Sequence, residues 1–454
     1  LMDYLLKIEN LTIVHSKLIS DGINPFVQFV KDTYDNYSLV NDINLFVREG
    51  EYLGLVGESG SGKTLTVKSI LGLIDVNPGI VEGKISYKSD GQKKKTIILS
   101  IPQNGGSEFL NNIIGRQYMH SWHCKIKDGE INLPHDFMYK NNHATICAYN
   151  STDSHCDELI LNDKHFKESN KRLTLDIFQK HEYVYLVGLK RISRKTKSFQ
   201  RSTINVLKEK KIPGRHISII LQDPVSFLNP YWSMSRQMIN LNKLHFHSNE
   251  ENVIDNLLSE VKLNTDSFKT AVPRELSGGQ GQRAMILLSS ITKPKLLIAD
   301  EPTTGLDVTL KKIVVEKFKG LRKKVSPNLS MIFISHDLGM VRKATDRINV
   351  MYKGEIIENC ESEKFNNKEG HHPYVTELLG ITQSDYVRDN PDNVKMDLLK
   401  LGHGCKYYNN CTLTSKNTRC RLVSPPAISL LSNSILLNDD PNQPWVKCWD
   451  FLND

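Results

Sequence analysis

No stretch of this chain narrows its fold more than Gly57-Glu58-Ser59-Gly60-Ser61-Gly62-Lys63-Thr64. Such a glycine-rich loop turns its backbone N–H groups inward, and it holds that shape when a buried strand enters it and a helix leaves it. The flanks supply both. Tyr52 to Val56 is a short apolar run of strand type, and Thr64 to Leu73 has helical rhythm. Strand, loop and helix in that order make a cradle for phosphate oxygens, backed by the positive end of the helix dipole. Lys63 is placed to reach a β- and a γ-phosphate as a point charge, and Thr64 to set its hydroxyl on Mg²⁺. A chance Gly/Ser turn before a helix would carry the same letters without a ligand; the matching flanks weigh against it.

Further strings follow in fixed order. Leu296-Leu297-Ile298-Ala299-Asp300-Glu301 is an apolar strand ending in two carboxylates, at the edge where ligands bind in parallel α/β sheets. Asp300 is read as support for Mg²⁺, directly or through water, and Glu301 as the group that polarises an attacking water. An acidic turn after a strand is common, but Pro302-Thr303-Thr304-Gly305-Leu306-Asp307 raises the reading well above that. His336, after the apolar run ending at Ser335, is placed to contact the γ-phosphate and to orient Glu301 and water; alone, a histidine there would carry little. Gln222 ends the run Ile217-Ser218-Ile219-Ile220-Leu221 and can touch Mg²⁺ or water, opening a loop able to report nucleotide state elsewhere. Leu276-Ser277-Gly278-Gly279-Gln280 precedes a strong helix and makes a second anion nest. One chain already has its phosphate loop, so Ser277, Gly278, Gly279 and Gln280 suit a γ-phosphate held by a second subunit. An ordinary helix cap by Ser277 is the plainer alternative.

The rest of the chain sets the frame. Its 454 residues allow two or three domains, and its 39% hydrophobic and 24% charged residues are those of a soluble globular protein. There is no apolar run of about 18 residues, the length a membrane span needs, and no secretory signal pattern at Leu1-Met2-Asp3-Tyr4. The net charge of +8 fits a solvated Lys/Arg surface. Residues 5–14 and Ile43, Leu45 and Val47 alternate as strands of a small antiparallel sheet, with a polar loop over 15–37 between them. From 89 to 204 the periodicity fails amid Lys patches and Asn pairs, which marks an insertion with a few strands such as Tyr183 to Val187. His123-Cys124, His143 with Cys147, and His155-Cys156 lie there without a repeated metal-ligand spacing, so scattered surface and core positions are the favoured reading. Residues 235–270 are helical in rhythm, Leu296 to Ala299 and Met331 to Ile334 read as central parallel strands, and Arg347 to Glu358 as two strands around Lys353-Gly354. Beyond about 380 comes a tail with four of the eight cysteines.

Taken together these residues resemble an ATP-binding cassette (ABC) transporter ATPase. Gln222-Asp223-Pro224-Val225-Ser226-Phe227-Leu228-Asn229-Pro230, Ser335-His336-Asp337-Leu338-Gly339 and His372-Pro373-Tyr374 are similar to ATPase subunits of oligopeptide and dipeptide permeases. Ala284-Met285-Ile286 and Gly305-Leu306-Asp307-Val308-Thr309 look more like the "D" type of the two ATPases such permeases use. The resemblance implies a P-loop NTPase fold of the α/β class: a parallel-sheet core, an N-terminal antiparallel β subdomain and a helical signature subdomain. Its parts would be 1–88 with the phosphate loop, the insertion 89–204, 205–380 with the remaining motifs, and an extension over 381–454. Two departures stand out: the insertion itself, and Gly281 where the family carries a basic residue.

The resemblance also implies ATP and Mg²⁺ as cofactors and adds Asp307 to the nucleotide-contacting residues. It implies a second related ATPase as partner, two membrane-spanning permease subunits, an extracytoplasmic lipoprotein acting indirectly, and a place on the cytoplasmic face of the cell membrane. No nucleic acid is expected. Peptide is the implied cargo, with nickel or sugar as alternatives, and a soluble ABC protein of translation or DNA repair as a more distant one. Cys405, Cys411, Cys420 and Cys448 match the C-terminal extension of peptide-permease ATPases, where four such cysteines can hold an iron–sulfur cluster; the gap from Cys411 to Cys420 is longer here. Four thiolates suit a [4Fe–4S] cluster or Zn²⁺, and four reduced cysteines in a loose tail are the alternative.

Overall fold

The computed structural model describes residues 4–18, 34–76, 78–88, 96–101, 117–134, 137–138, 144–150, 156–161, 172–191, 205–210, 212–222, 228–246, 255, 258–259, 263, 265–304, 311–312, 314–316, 318–320, 328–366, 370–380, 404–413, 418–436, 440 and 442–452. Its spine is a sheet in which Ile217–Ile220, Leu296–Asp300, Ser330–Ser335, Tyr52–Val56 and Arg347–Tyr352 lie side by side and parallel. The alternation along these strands explains why they are apolar throughout. Leu53, Leu55, Ile298, Ile332 and Ile334 face one core, while Tyr52, Val56, Leu297, Ala299, Met331 and Phe333 face another. Both faces are covered, so neither side of the pleat can be polar. The register sets Asp300 opposite Ile334 and Ser335 opposite Val56, which brings the carboxyl ends of three strands to one edge.

The first core is closed by an antiparallel sheet of Tyr34–Arg48, Tyr4–Leu18, Pro78–Tyr87 and Thr96–Ile101. The strands extend into the segment 15–37 read as loop. Thr96–Ile101 lies inside the span read as insertion, yet it pairs with Pro78–Tyr87 and buries Ile98 and Leu99 in the first core. The Lys-rich run just before it masks a strand that starts only at Thr96. The helix Lys63–Ile70 sends Val67 and Ile70 into this same core, while the helix Leu338–Ala344 packs Val341 into the other. A third core joins the helices Met234–Phe246, Asp266–Thr270 and Gly278–Ile291 through Met234, Met238, Phe268 and Leu287.

The other described residues of the segment 89–204 form a β unit with its own core. Cys156–Ile160, Thr145–Tyr149, Tyr183–Arg191 and Gln117–Lys125 form an antiparallel sheet, joined by Phe137–Met138. Ile146, Phe178, Val184 and Leu186 fill its interior. The described residues of the cysteine-bearing extension also form strands. Trp445–Val446, Ala427–Ser429 and Ile435–Leu436 continue the central sheet beyond Glu355–Glu361 as antiparallel strands. Insertion and extension meet: Cys147, Tyr149 and Tyr185 share a core with Val423, Trp449 and Leu452, and Arg419 donates to the Asn150 carbonyl at 3.2 Å. The Tyr149 and Trp449 rings lie edge to face at 5.2 Å. No helix among the described residues is long and apolar enough to cross a membrane.

One buried ion pair ties the two sheets. Arg347 donates from Nε to Glu51 Oε1 at 2.7 Å, and to the Asn359 side chain and the Phe46 carbonyl. Burial alone would raise the Glu51 carboxyl, but Arg347 and the Arg48 backbone N–H outweigh it and hold the group below its ordinary value. A depressed carboxylate contributes stability above its unfolded pKa and loses it as pH falls through the folded value. Arg347→Ala should therefore cost about 3–5 kcal/mol by urea unfolding at neutral pH, because it strands a buried carboxylate. The penalty should shrink below about pH 4, and a penalty that persists undiminished into acid would remove the ion pair as its cause.

Candidate nucleotide site

The phosphate loop leaves the buried strand Tyr52–Val56 and enters the helix Lys63–Ile70, as the sequence predicts, with the helix ending at Ile70 rather than Leu73. Two glycines are obligatory there. A Cβ on Gly57 would run into the Met351 carbonyl oxygen, and Gly62 caps the helix at φ 101°, a conformation L side chains rarely adopt. Lys63 is buried, with its ammonium folded back on the loop. It donates to the carbonyls of Gly57 and Glu58, both at 2.7 Å, and more weakly to Ser61 Oγ at 3.4 Å. Burial lowers its pKa, and the charges of Glu301, Asp300 and Glu58 oppose that shift. Glu58, Ser59 and Gly60 are exposed at the loop's tip.

Thr64 Oγ1 donates to Asp300 Oδ1 at 3.1 Å. A hydroxyl from a helix start and a carboxylate from a strand end thus share one spot, a donor set of the oxygen type that Mg²⁺ takes. Burial raises the Asp300 carboxyl, the Thr64 hydroxyl and Lys63 pull it back, and Glu301 raises it further. Glu301 sits in the left-handed region at φ 47°, costing roughly 1–2 kcal/mol for a side chain. It is held there by its N–H donating to the Ile334 carbonyl at 3.0 Å, and Thr304 Oγ1 donates to its carboxylate at 2.8 Å. The turn aims the carboxylate at His336, whose Nδ1 lies 3.4 Å away. His336 is 56% exposed on its other side, which leaves the pair open to solvent and to a ligand.

Gln222 stands exposed just past Ile217–Ile220, at the same sheet edge. The residues 223–227 and Asp307 lie outside the described residues. Ser277, Gly278, Gly279 and Gln280 belong to another layer. Ser277 caps the helix Gly278–Ile291 reciprocally: the Gln280 N–H donates to Ser277 Oγ at 3.3 Å, and the Ser277 N–H to Gln280 Oε1 at 2.9 Å. Capping and an outward face coexist, since Ser277 and Gly278 are exposed and the first-turn N–H groups of a helix have no partner within it. Gly281 is buried in this helix, so the departure from a basic residue sits inside rather than at the rim.

Cys405, Cys411, Cys420 and Cys448 all line one cavity, together with His372, Tyr407 and Trp449. Cys405 and Cys420 are clamped by a backbone bond of 2.8 Å from Cys405 N–H to the Cys420 carbonyl. Burial pushes the Cys405 thiol up to about 12 and the Cys448 thiol well above its ordinary value, so a thiolate here needs a metal beside it. Among the described residues no three His, Cys, Asp or Glu side chains converge closely enough to hold a metal ion, a finding that supports neither Zn²⁺ nor an iron–sulfur cluster. In the insertion, His123 Nδ1 meets the Tyr149 hydroxyl at 3.0 Å; His143, His155 and the Cys156 side chain lie outside the described residues. Sequence reasoning missed Thr304 as a holder of Glu301 and gave Tyr374 no role, because each acts through a contact that no spacing encodes.

The family model described as ABC transporter matches residues 40–172 and 187–304. The dipeptide transport ATP-binding protein DppD of Haemophilus influenzae is 36% identical over 196 residues, 42% of this chain and 58% of that protein. DppD of Escherichia coli is 31% identical over 240 residues, covering 51% of this chain and 71% of the relative. A putative peptide import ATP-binding protein of Brucella abortus is 32% identical over 255 residues, 54% of this chain and 74% of the relative.

Proposed function

Since the chain belongs to the ABC transporter family, whose model matches more than half of it, we propose that it is the ATP-hydrolysing, nucleotide-binding subunit of an importer for oligopeptides or dipeptides. The observation that carries the chemistry is the meeting of Lys63, Thr64, Asp300, Glu301 and His336 at one sheet edge. Lys63 releases the Gly57 and Glu58 carbonyls and turns its ammonium to the phosphates. Mg²⁺, held through Thr64 and Asp300 with Gln222 close by, would neutralise charge on the β- and γ-oxygens. Glu301 polarises the attacking water while His336 orients it. The nest of Ser277, Gly278, Gly279 and Gln280, whose first two residues are exposed, with Asp307, completes the pocket of a second cassette. Gln222 and the loop after it pass closure to a permease helix. The peptide cargo is taken from what the relatives are named for.

The partners that follow are a second related ATPase and two membrane-spanning subunits, which place the chain peripherally on the cytoplasmic face of the membrane. For the extension we favour a [4Fe–4S] cluster. The support for this reading is the lining of one cavity by four thiols, the ligand count a [4Fe–4S] cluster takes. Cys405, Cys411, Cys420 and Cys448 would hold it, and it would serve to fasten the extension.

Glu301→Gln should bind ATP while its steady-state hydrolysis falls by roughly 10²-fold or more; an unchanged rate in the assembled complex would remove Glu301 from the reaction. Affinity purification from native membranes should bring down two membrane-spanning proteins and a related ATPase. Ribosomes or DNA in their place would favour a soluble ABC protein. Anaerobically purified protein should contain iron and acid-labile sulfide, lost in Cys420→Ser; zinc alone, or no metal, would end the cluster reading.

A further inference from the structure

The segment His372-Pro373-Tyr374 reaches the nucleotide loop from the far end of the chain. The Glu58 N–H donates to the Tyr374 hydroxyl at 2.9 Å. That N–H belongs to the same peptide unit as the Gly57 carbonyl, which accepts from Lys63 Nζ at 2.7 Å. In a trans peptide the two groups point in opposite directions. Tyr374 and Lys63 therefore grip one peptide plane from its two sides. Gly57 is the residue whose backbone already lies hard against Met351, so the plane is fixed at its start by packing and at its end by the tyrosine.

Tyr374 is itself built in place rather than left to chance. Glu358, fully buried, accepts from the His372 N–H at 2.8 Å and meets His371 Nδ1 at 2.6 Å. His372 Nδ1 in turn accepts from the Tyr374 N–H at 3.1 Å, and burial lowers the His372 pKa to about 3, which keeps that nitrogen an acceptor. Pro373 opens the short helix Pro373–Leu378. The Tyr374 ring is 1% exposed and packs on Tyr352 with centroids 4.7 Å apart. A buried tyrosine hydroxyl spent on a loop amide, with a chain of buried partners behind it, is more than packing requires.

We propose that Tyr374 is a positioning residue for nucleotide binding: it sets the orientation of the Gly57–Glu58 peptide and so the resting place from which the Lys63 ammonium meets the phosphates. The inference rests on the phosphate-loop reading above. Without the hydroxyl, the Glu58 N–H loses its acceptor and the plane can rotate, taking the Lys63 cradle with it.

The test is calorimetric titration of the full-length protein with Mg·ATP, alongside thermal unfolding of each variant. Tyr374→Phe keeps the ring and should bind Mg·ATP about tenfold more weakly, the scale of one hydrogen bond lost from the loop. Thr376→Ala removes a 2.6 Å hydrogen bond to the Pro373 carbonyl in the same short helix. It should lower the melting temperature at least as much as Tyr374→Phe yet leave affinity unchanged. Lys63→Ala should lose binding. Unchanged affinity in Tyr374→Phe, or an equal loss in Thr376→Ala, overturns the positioning role. Retained binding in Lys63→Ala would instead overturn the phosphate-loop reading on which it stands.

Discussion

The register of five parallel strands governs everything that happens at this protein's nucleotide edge. Asp300 lies opposite Ile334, and Ser335 opposite Val56, so the residues that follow each strand emerge within hydrogen-bond reach of one another. A slip of one residue would turn the apolar set of a strand to the wrong core, and both cores are closed. Burial on two faces is thus what makes the site exact. Thr64 and Asp300, 236 positions apart in sequence, are brought to 3.1 Å by hydrophobic alternation rather than by any affinity for each other.

The loop and its supports divide the labour. Glycines at 57 and 62 let the backbone pass close to Met351 and turn into the helix, while the polar groups around them take up the hydrogen bonds that such a turn exposes. Lys63 donates to the Gly57 and Glu58 carbonyls, the second of which also accepts from the Ser61 N–H at 3.2 Å, and Tyr374 accepts from the amide behind the first. Glu301 accepts an unfavourable backbone angle because its N–H, its carboxylate and the Thr304 turn together over-determine it. Some of these partners are local, as Gly57 and Glu58 are for Lys63 and Thr304 for Glu301, and others come from distant segments, as Tyr374 and Ile334 do. The loop is thus held by several hydrogen bonds, while the His336 side chain is exposed.

Insertion and extension form a second assembly on the same sheet. Trp445–Val446 and Ala427–Ser429 continue the central sheet past its parallel half, so the cysteine cavity grows from the ATPase core rather than hanging from it. The insertion rests on that extension through Tyr149, Trp449 and Arg419. Aromatic pairs prefer such edge-to-face arrangements, which contribute about 0.5–1.5 kcal/mol beyond the area they bury. Tyr407 stands between the two regions, lining the cavity while packing on Tyr374 with centroids 5.7 Å apart.

Much of this was legible in the order of residues. Local strings carry their own chemistry: a glycine-rich loop between an apolar strand and a helix, two carboxylates ending a strand, and a Ser-Gly-Gly nest before a helix are each short enough for spacing to define. The resemblance those strings carry extended to the family. What the order of residues could not contain is the set of contacts between distant segments. Thr96–Ile101 hid behind lysines until its partner strand was known, and the docking of Tyr149 on Trp449 joins residues with no periodicity in common. The hydroxyl of Tyr374 reaches the amide of Glu58 across 316 positions. Such pairs are chosen by how two buried sheets pack, and packing is a property of the folded whole.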